Sequence, residues 1–172
     1  RGLGDVYKRH AVMHVVSAGG ARTVNGVTFA REYDPLQNVS LLTVQLPSTR
    51  KLYYVNPQVG VNRFGSASIN YMGQNQMTKK WQRVETYGGK LTENIVQAIA
   101  RDALALAIEH LEAAGLPVIF HIHDECVIDC PAFGTPDEML DRVTHLMTQP
   151  IPWAQGLPLN ADGWVGTFFK KD

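Results

Sequence analysis

Residues 118–130 read VIFHIHDECVIDC, with runs of β-forming residues on either side of His123, Asp124 and Glu125. The apolar and β-branched residues predict two strands, and the short polar corner predicts a tight hairpin between them. Adjacent carboxylates at a hairpin tip repel each other, so charging both is costly unless a cation is near. Mg²⁺ takes carboxylate oxygens and keeps waters that a phosphate can displace. The corner therefore predicts a magnesium site suited to phosphoryl or nucleotidyl transfer.

The same corner admits two other interpretations. His121 and His123 alternate along the predicted strand and so lie on one face, where with Asp124 they could ligate a transition metal in a hydrolase. A solvent-exposed polar hairpin without a ligand is the third interpretation. Cys126 and Cys130 lie about 13 Å apart along a strand, which is too far for a disulfide. A zinc site would need closer cysteine pairs and further ligands in register, which disfavours metal binding by these cysteines. Buried thiols are expected there.

A long helix is predicted before the hairpin. Residues 92–114 contain neither Gly nor Pro and are rich in Ala, Leu and Ile. Thr92 is the expected N-cap and Gly115 the expected C-cap. A polar stripe recurs at helical spacing in the first half of this helix: Asn94, Gln97 and Arg101. Such a stripe is either the solvent-exposed face of the helix or a surface that contacts a ligand.

The remaining segments predict an α+β fold with an antiparallel sheet. The expected elements are a helix over 4–18, an extended stretch over 24–29 with an Asn25-Gly26 turn signal, strands over 39–46 and 51–55, a helix over 136–147 capped by Thr135, and a strand over 164–170. Residues 58–90, rich in Gly, Asn and Gln, predict a long, partly irregular connection.

Charge is segregated along the chain, although the net charge is zero. Residues 1–90 hold twelve Lys/Arg and four Asp/Glu (+8), whereas residues 91–150 hold two and ten (−8). Basic and aromatic residues interleave in 58–90, a composition that suits nucleic-acid binding as well as a solvated loop. The candidate DNA contacts there are Lys79, Lys80, Arg83 and Lys90. No apolar run reaches the roughly 18 residues of a membrane span, so a cytoplasmic protein without a membrane partner is expected.

A resemblance to a known family rests on three motifs. TYGGKLTENIVQAIARD at 86–102, followed by Gly115 and His-Asp-Glu at 123–125, resembles in order and spacing the family A DNA polymerases of phages and prophages. LPSTR at 46–50 resembles the Leu-Pro-Ser-Gly-Arg motif of that branch, with Thr49 in place of glycine, and the tail from Gly163 is also similar. The resemblance implies a C-terminal palm region over 41–172, with motif C, and an N-terminal helix and β segment over 1–40 leading into it.

The resemblance also implies roles for individual residues. Asp124 matches the motif C aspartate, a ligand of two catalytic Mg²⁺ ions for which Mn²⁺ may substitute, and Glu125 matches the carboxylate beside it. His123 matches a histidine that touches the primer 3′ end. Gln97 matches a glutamine that contacts the DNA minor groove. Arg101 replaces an alanine of that family helix and would reach a phosphate, with Asn94 on the same stripe.

Two parts of the family's machinery have no match in these residues: the second catalytic aspartate motif and the fingers helix that binds the dNTP triphosphate. The resemblance thus implies an incomplete polymerase fold, inactive alone. The missing N-terminal part would lie in the same chain or in a separate subunit, and the partners would be primer-template DNA and dNTP in the cytoplasm of a bacterial host. Open alternatives are a DNA-binding or catalytic subunit of a split polymerase, a prophage gene remnant, and the His/Asp hydrolase.

Overall fold

The computed structural model describes residues 3–62, 64–130 and 134–169. The described residues form three helices and two antiparallel sheets, which confirms the α+β prediction. The elements are α1 (Leu3–Ala18), β1 (Ala21–Val24), β2 (Val27–Asp34), β3 (Val39–Gln45), β4 (Lys51–Val61), β5 (Ala67–Gln74), β6 (Trp81–Thr86), α2 (Gly88–Ala113), β7 (Val118–Ile122), β8 (Glu125–Ile128) and α3 (Pro136–Met147). The chain divides after Ala98 into unit 1 and unit 2. The boundary suggested at residue 40 stays a prediction; residue 40 itself lies within β3.

Unit 1 contains a six-stranded antiparallel sheet in which β1 to β6 follow one another in sequence order. The predicted Asn-Gly turn joins β1 to β2, with φ of 50° at Asn25 and 75° at Gly26. Positive φ at both central residues is what a two-residue hairpin requires, and Asn and Gly tolerate it best. Local turn chemistry therefore sets the first strand pairing.

The predicted irregular connection over 58–90 is wrong. β4 continues to Val61 through a bulge between Val55 and Gln58, and β5 and β6 occupy much of the rest. The Asn62 side chain accepts hydrogen bonds from the amides of Phe64 and Ser66 at 3.0 and 2.9 Å, and Asn75 caps the next turn in the same way. Asparagine-rich segments here form the turns of paired strands, and pairing outweighs their low β propensity.

The core of unit 1 lies on one face of the sheet. Phe29, Leu42 and Val44 are fully buried there, and Val12 and Val15 of α1 are fully buried as well. Contacts join α1 to β1, β2 and β4. The first part of α2 is tied to the same unit by hydrogen bonds, from the Asn94 amide to the Tyr54 hydroxyl at 3.2 Å and from Arg50 to the Ala98 carbonyl at 2.8 Å. The opposite face carries exposed side chains.

The long helix α2 starts earlier than predicted and ends where predicted. It begins at Gly88, so the expected N-cap at Thr92 is wrong: Thr92 lies one turn inside the helix. Gly115 has φ of 75°, and its amide bonds the Glu112 carbonyl while the Leu116 amide bonds Leu111, both at 3.0 Å. This pair of bonds is a Schellman motif, which satisfies carbonyls at the helix end. No helix in the described part of the chain, α2 included, is long and apolar enough to cross a membrane.

Unit 2 contains the rest of α2, the β7–β8 hairpin, α3 and the tail. α3 matches its prediction, with Thr135 and Glu138 exchanging hydrogen bonds in a capping box and Pro136 in the first turn. The strand predicted over 164–170 is wrong for residues 164–169, which form no strand; residue 170 lies outside the described residues. Phe169 instead packs edge-to-face on Phe120 with ring centroids 5.1 Å apart. An aromatic contact thus takes the place of strand pairing.

Candidate active site

The β7–β8 hairpin has a two-residue tip made of His123 and Asp124. Ile122 pairs with Glu125 and His121 pairs with Cys126, so the chain reverses across the two residues between them. The predicted acidic hairpin tip is confirmed. His123 has φ of 52°, a left-handed conformation in which a non-glycine residue is uncommon. Such strain costs on the order of 1 kcal/mol and is tolerated where a tight reversal requires it.

The carboxylates at this tip are accessible. The side chains of Asp124 and Glu125 are exposed, and within the described residues neither takes part in a hydrogen bond or an ion pair. A carboxylate with no protein partner keeps its oxygens available to a hard cation. The tip therefore presents two adjacent oxygen-donor groups to solvent, which agrees in chemistry with the expected magnesium ligands.

Arg101 of α2 contacts the hairpin one residue pair behind the tip. Its Nη2 lies 3.3 Å from Nε2 of His121. Because a guanidinium only donates, Nε2 must accept, and neutral His121 then carries its proton on Nδ1. Burial raises the pKa of Cys126, the cross-strand partner of His121, while the positive charge of Arg101 acts to lower it. The Arg101 guanidinium, which was expected from the sequence to contact a DNA phosphate, thus lies beside the His121–Cys126 pair.

The transition-metal interpretation of the hairpin loses its geometric basis. His121 and His123 do not share a strand face, because β7 ends at Ile122 and His123 lies in the turn. Among the residues that the structure describes, no group of three or more His, Cys, Asp or Glu side chains could hold a metal ion. Cys130 lies beyond the end of β8, and both cysteines are free thiols. The hairpin turn offers a cation the adjacent carboxylates of Asp124 and Glu125.

The polar stripe on α2 is engaged in contacts of different kinds. Asn94 is half-buried and bonds Tyr54, so part of its role is to hold α2 on the sheet. Gln97 is exposed and donates to Glu93 at 3.4 Å, and Lys90 forms an ion pair with the same carboxylate at 3.1 Å. Lys90, Glu93 and Gln97 therefore form one solvent-facing group in unit 1, whereas Arg101 belongs to unit 2.

The other candidate DNA contacts surround the start of β6. Lys79 and Lys80 are exposed in the turn between β5 and β6, and Arg83 lies on β6. Arg83 donates from Nη1 to the Asn56 carbonyl at 3.2 Å, which draws its guanidinium across β5. Trp81 stands beside these cations and is 63% exposed. Sequence reasoning placed these residues in a loop and missed that the aromatic and basic side chains share a sheet.

Thr49 occupies the position where the polymerase motif that this sequence resembles has glycine. Its φ is 74°, in the left-handed region that glycine adopts without steric cost and a β-branched residue does not. The turn is closed by hydrogen bonds from Thr49 to the Leu46 carbonyl at 2.9 Å and from Leu46 to the Arg50 carbonyl at 2.8 Å. The backbone at Thr49 thus adopts the left-handed conformation that a glycine at this position of the motif would adopt without steric cost.

The features described so far define an α+β chain with an exposed acidic hairpin and a separate basic region. No family model matches the chain, and no solved structure matches it. The chain is 46% identical over 149 residues to a DNA polymerase of Bacillus phage SP02. The matched residues cover 86% of this chain and 22% of that polymerase, so the chain spans less than a quarter of its relative's length. The chain is thus similar to one portion of a phage DNA polymerase.

Proposed function

We propose that this chain is the C-terminal palm portion of a family A DNA-directed DNA polymerase and supplies Asp124 to nucleotidyl transfer on a primed DNA template. One observation carries the proposal: a chain 46% identical to a phage DNA polymerase presents the Asp124 carboxylate at an exposed two-residue hairpin tip. A polymerase needs an acidic group that can approach a nucleic-acid end without steric hindrance, and a hairpin tip provides that access.

Asp124 and Glu125 fit the cation that this chemistry requires, since both are oxygen donors on adjacent residues and within the described residues neither is committed to a partner. When bound, Mg²⁺ or Mn²⁺ lowers the pKa of a primer 3′-hydroxyl and offsets the charge that develops on the α-phosphate. In the proposal, Asp124 holds both ions and Glu125 contributes a weaker contact. One acidic corner is too small a ligand set for two ions, so a second aspartate must come from the part of the polymerase that this sequence lacks.

The strained turn at His123 has a role in this proposal. A left-handed residue at the first turn position sets the direction in which the Cα–Cβ bond of His123 leaves the backbone beside Asp124. His123 would contact the 3′ end of the primer while Asp124 holds the metal. Arg101 supports the hairpin from behind through His121, so that it acts as a positioning residue in addition to any phosphate contact.

DNA binding in the proposal draws on the exposed polar groups of α2 and on the basic residues of unit 1. Gln97 is exposed on α2 and would read the minor groove near the primer terminus. Asn94 supports it from a half-buried position, and Lys90 contributes positive charge beside the same helix face. Lys79, Lys80 and Arg83 are solvent-exposed cations that suit contacts to phosphates. The DNA partner and the dNTP would be shared with the missing N-terminal part of the enzyme.

A chimaera tests the proposal directly. The matched 22% of the Bacillus phage SP02 polymerase is replaced by this chain, and primer extension is measured with Mg²⁺. The chimaera should extend the primer, whereas the 172-residue chain alone should not. Asp124→Asn should lower kcat at least about a hundredfold, since even outer-shell partners of metal ligands cost 10–100-fold when removed.

Asp129→Asn is the matched control, because Asp129 is an exposed aspartate that follows β8 and has no part in the tip. It should leave extension unchanged. A chimaera in which Asp124→Asn extends primers as fast as the unsubstituted protein would contradict the assignment of Asp124. Extension by the isolated chain would contradict the proposal that a second aspartate lies outside it.

A further inference from the structure

Unit 1 has one sheet face against which none of its own described helices packs. Cross-strand pairs place side chains on the same face: Leu41 with Val55, Val55 with Met72, and Gln74 with Trp81. Tyr54, one residue from Tyr53, points to the buried face, so Tyr53 points away from it. We call this surface the open sheet face; it is formed by Val39, Leu41, Tyr53, Val55, Met72 and Trp81. Its two large aromatic side chains are well exposed, Tyr53 by 59% and Trp81 by 63%.

We propose that the open sheet face binds single-stranded nucleic acid, with bases stacking on Tyr53 and Trp81. Aromatic side chains on a sheet surface bind single strands because every base has a π face that can stack on a ring. In a duplex those faces are hidden inside the helix, so the surface should distinguish single strands from duplexes. This site uses no residue of the β7–β8 hairpin and goes beyond the proposed nucleotidyl transfer.

The spacing of the two rings fits this use. Tyr53 lies on β4 and Trp81 on β6, with β5 between them, so their backbones are about 9.5 Å apart. Trp81 pairs with Gln74 of β5, and Val55 pairs with Met72, so Tyr53 lies opposite Gln74 from the other side. Tyr53 and Trp81 therefore lie in nearly the same row across the sheet. A depression of about 530 Å³ lies on this face, with both rings, Val55 and Met72 in its lining. That volume is within the roughly 300–1,000 Å³ typical of ligand sites.

Basic residues lie close to Trp81 in the sequence, whereas the depression itself is lined by one charged residue, Asp34. Lys79 and Lys80 directly precede Trp81, and the Arg83 guanidinium reaches the carbonyl of Asn56, a residue that lines the depression. A strand whose bases stack on Trp81 would therefore pass its phosphates along three cations. Residues 1–98 carry twelve Lys/Arg and five Asp/Glu, a difference of +7, which favours a polyanion.

Two of the three acidic groups on this face of the described sheet, Glu32 and Asp34, already have partners, and Glu85 is exposed on β6. Glu32 accepts a hydrogen bond from Lys51 at 2.8 Å, and that bond lowers the pKa of Glu32. Asp34 accepts from the amides of Leu36 and Gln37 at 2.9 and 3.2 Å, within its own turn. A second copy of the chain is a poorer occupant, because it would place two units of net charge +7 against each other, and like charges repel.

Binding of an oligonucleotide by the 172-residue chain tests the proposal. Fluorescence anisotropy is measured with labelled dT15 and with a duplex of equal length, in EDTA, so that no metal at Asp124 takes part. We expect dT15 to bind more tightly than the duplex. Trp81→Ala and Tyr53→Ala should each weaken dT15 binding at least about fivefold, the lower end of what one stacked base contributes.

Two matched controls separate stacking from loss of any exposed ring. Tyr33 is 61% exposed in unit 1 and Trp164 is 48% exposed in unit 2, and neither belongs to the open sheet face. Tyr33→Ala and Trp164→Ala should bind dT15 like the unsubstituted chain. Replacing Lys79 and Lys80 by Gln should reduce the slope of log K against log salt by about 1.4, or 0.7 for each lost phosphate contact. Circular dichroism confirms that each variant is folded.

Three results would overturn the proposal. The first is equal binding of dT15 by the folded Trp81→Ala, Tyr53→Ala and unsubstituted chains, and the second is equal affinity for dT15 and the duplex. The third is absence of dT15 binding together with a dimer that Trp81→Ala dissociates in sedimentation velocity. The last result would make the open sheet face a protein interface. The dT15 binding measurement needs neither a metal ion nor primer extension. The chain can therefore lack dT15 binding while the chimaera extends primers, and it can bind dT15 while the chimaera is inactive.

Discussion

The two hairpins β5–β6 and β7–β8 carry opposite charges at their turns. Lys79 and Lys80 lie in the first turn, and the second tip holds Asp124 followed by Glu125. One turn is suited to bind phosphates and the other to bind cations, and each belongs to a different unit of the chain. A net charge of zero therefore conceals two surfaces of opposite chemistry. Net charge alone is a poor guide to whether such a chain binds nucleic acid.

The largest effect is expected from removing the core on which the basic hairpin depends. Phe29 is fully buried on the covered face of the six-stranded sheet. Phe29→Ala should lower the free energy of unfolding by about 3–5 kcal/mol, through lost burial and the cavity that remains. Urea unfolding measures the loss. Tyr33→Ala, on the same strand but 61% exposed, should change it by less than about 1 kcal/mol, and an equal loss would contradict the burial pattern.

The acidic hairpin should loosen when Arg101 is removed. Arg101→Ala deletes the 3.3 Å contact with His121, so the amides of the β7–β8 ladder should exchange with solvent about three- to tenfold faster. Hydrogen exchange measures the rate, and ¹⁵N shifts of His121 report whether its proton leaves Nδ1. Glu109→Ala, on the exposed side of the same helix, is the control. Unchanged exchange and an unchanged tautomer in Arg101→Ala would show that the contact does not position the hairpin.

Thr49→Gly should stabilise the protein. A threonine held at φ of 74° carries strain on the order of 1–3 kcal/mol, part of which is offset because glycine gains more entropy on unfolding. We expect a net gain of about 1 kcal/mol in thermal or urea unfolding. Thr28→Gly, in a regular part of β2, should lower stability instead. A loss of stability in Thr49→Gly would contradict the left-handed turn.

The smallest effect concerns pH and α3. Hydrogen bonds from Thr135 hold the pKa of Glu138 below its ordinary 4.5. A lowered folded-state pKa gives a stability contribution that is present above pH 4.5 and is lost as the pH falls through the folded pKa. Glu138→Gln should therefore lower Tm slightly at pH 7, and the difference should shrink as the pH falls below 4.5 and vanish once the pH is well below the folded-state pKa. Asp137→Asn, an exposed neighbour outside the capping box, is the control. A Tm difference that does not shrink below pH 4.5 would mean that charge is not the cause.

Local chemistry made part of this structure predictable from the sequence. The Asn25-Gly26 turn, the Thr135 cap and the Gly115 helix end were each predicted from a few neighbouring residues, and all three are confirmed. The hairpin tip followed in the same way from two β-rich runs around a charged corner. Such features depend on residues that are close in sequence.

The errors concern features that depend on distant partners. β5 contains Ala, Asn and Gly, which are depleted in strands, yet it pairs with β4 and β6, whereas residues 164–169, rich in β-formers, pair with no strand among the described residues. The start of α2 was misjudged because Gly88 and Gly89 are weak helix formers that the helix nevertheless includes. The partner of Arg101 was not predictable, since His121 lies twenty residues away on another element.

The most direct test of the central claim locates a cation on the chain. Mn²⁺ is titrated into the ¹⁵N-labelled protein, and paramagnetic broadening of the backbone amides is measured. The account predicts the strongest broadening at His123, Asp124 and Glu125, its loss in Asp124→Asn and its retention in Asp129→Asn. Broadening centred elsewhere, or unchanged by Asp124→Asn, would contradict the assignment of the β7–β8 tip as the metal-binding part of a polymerase.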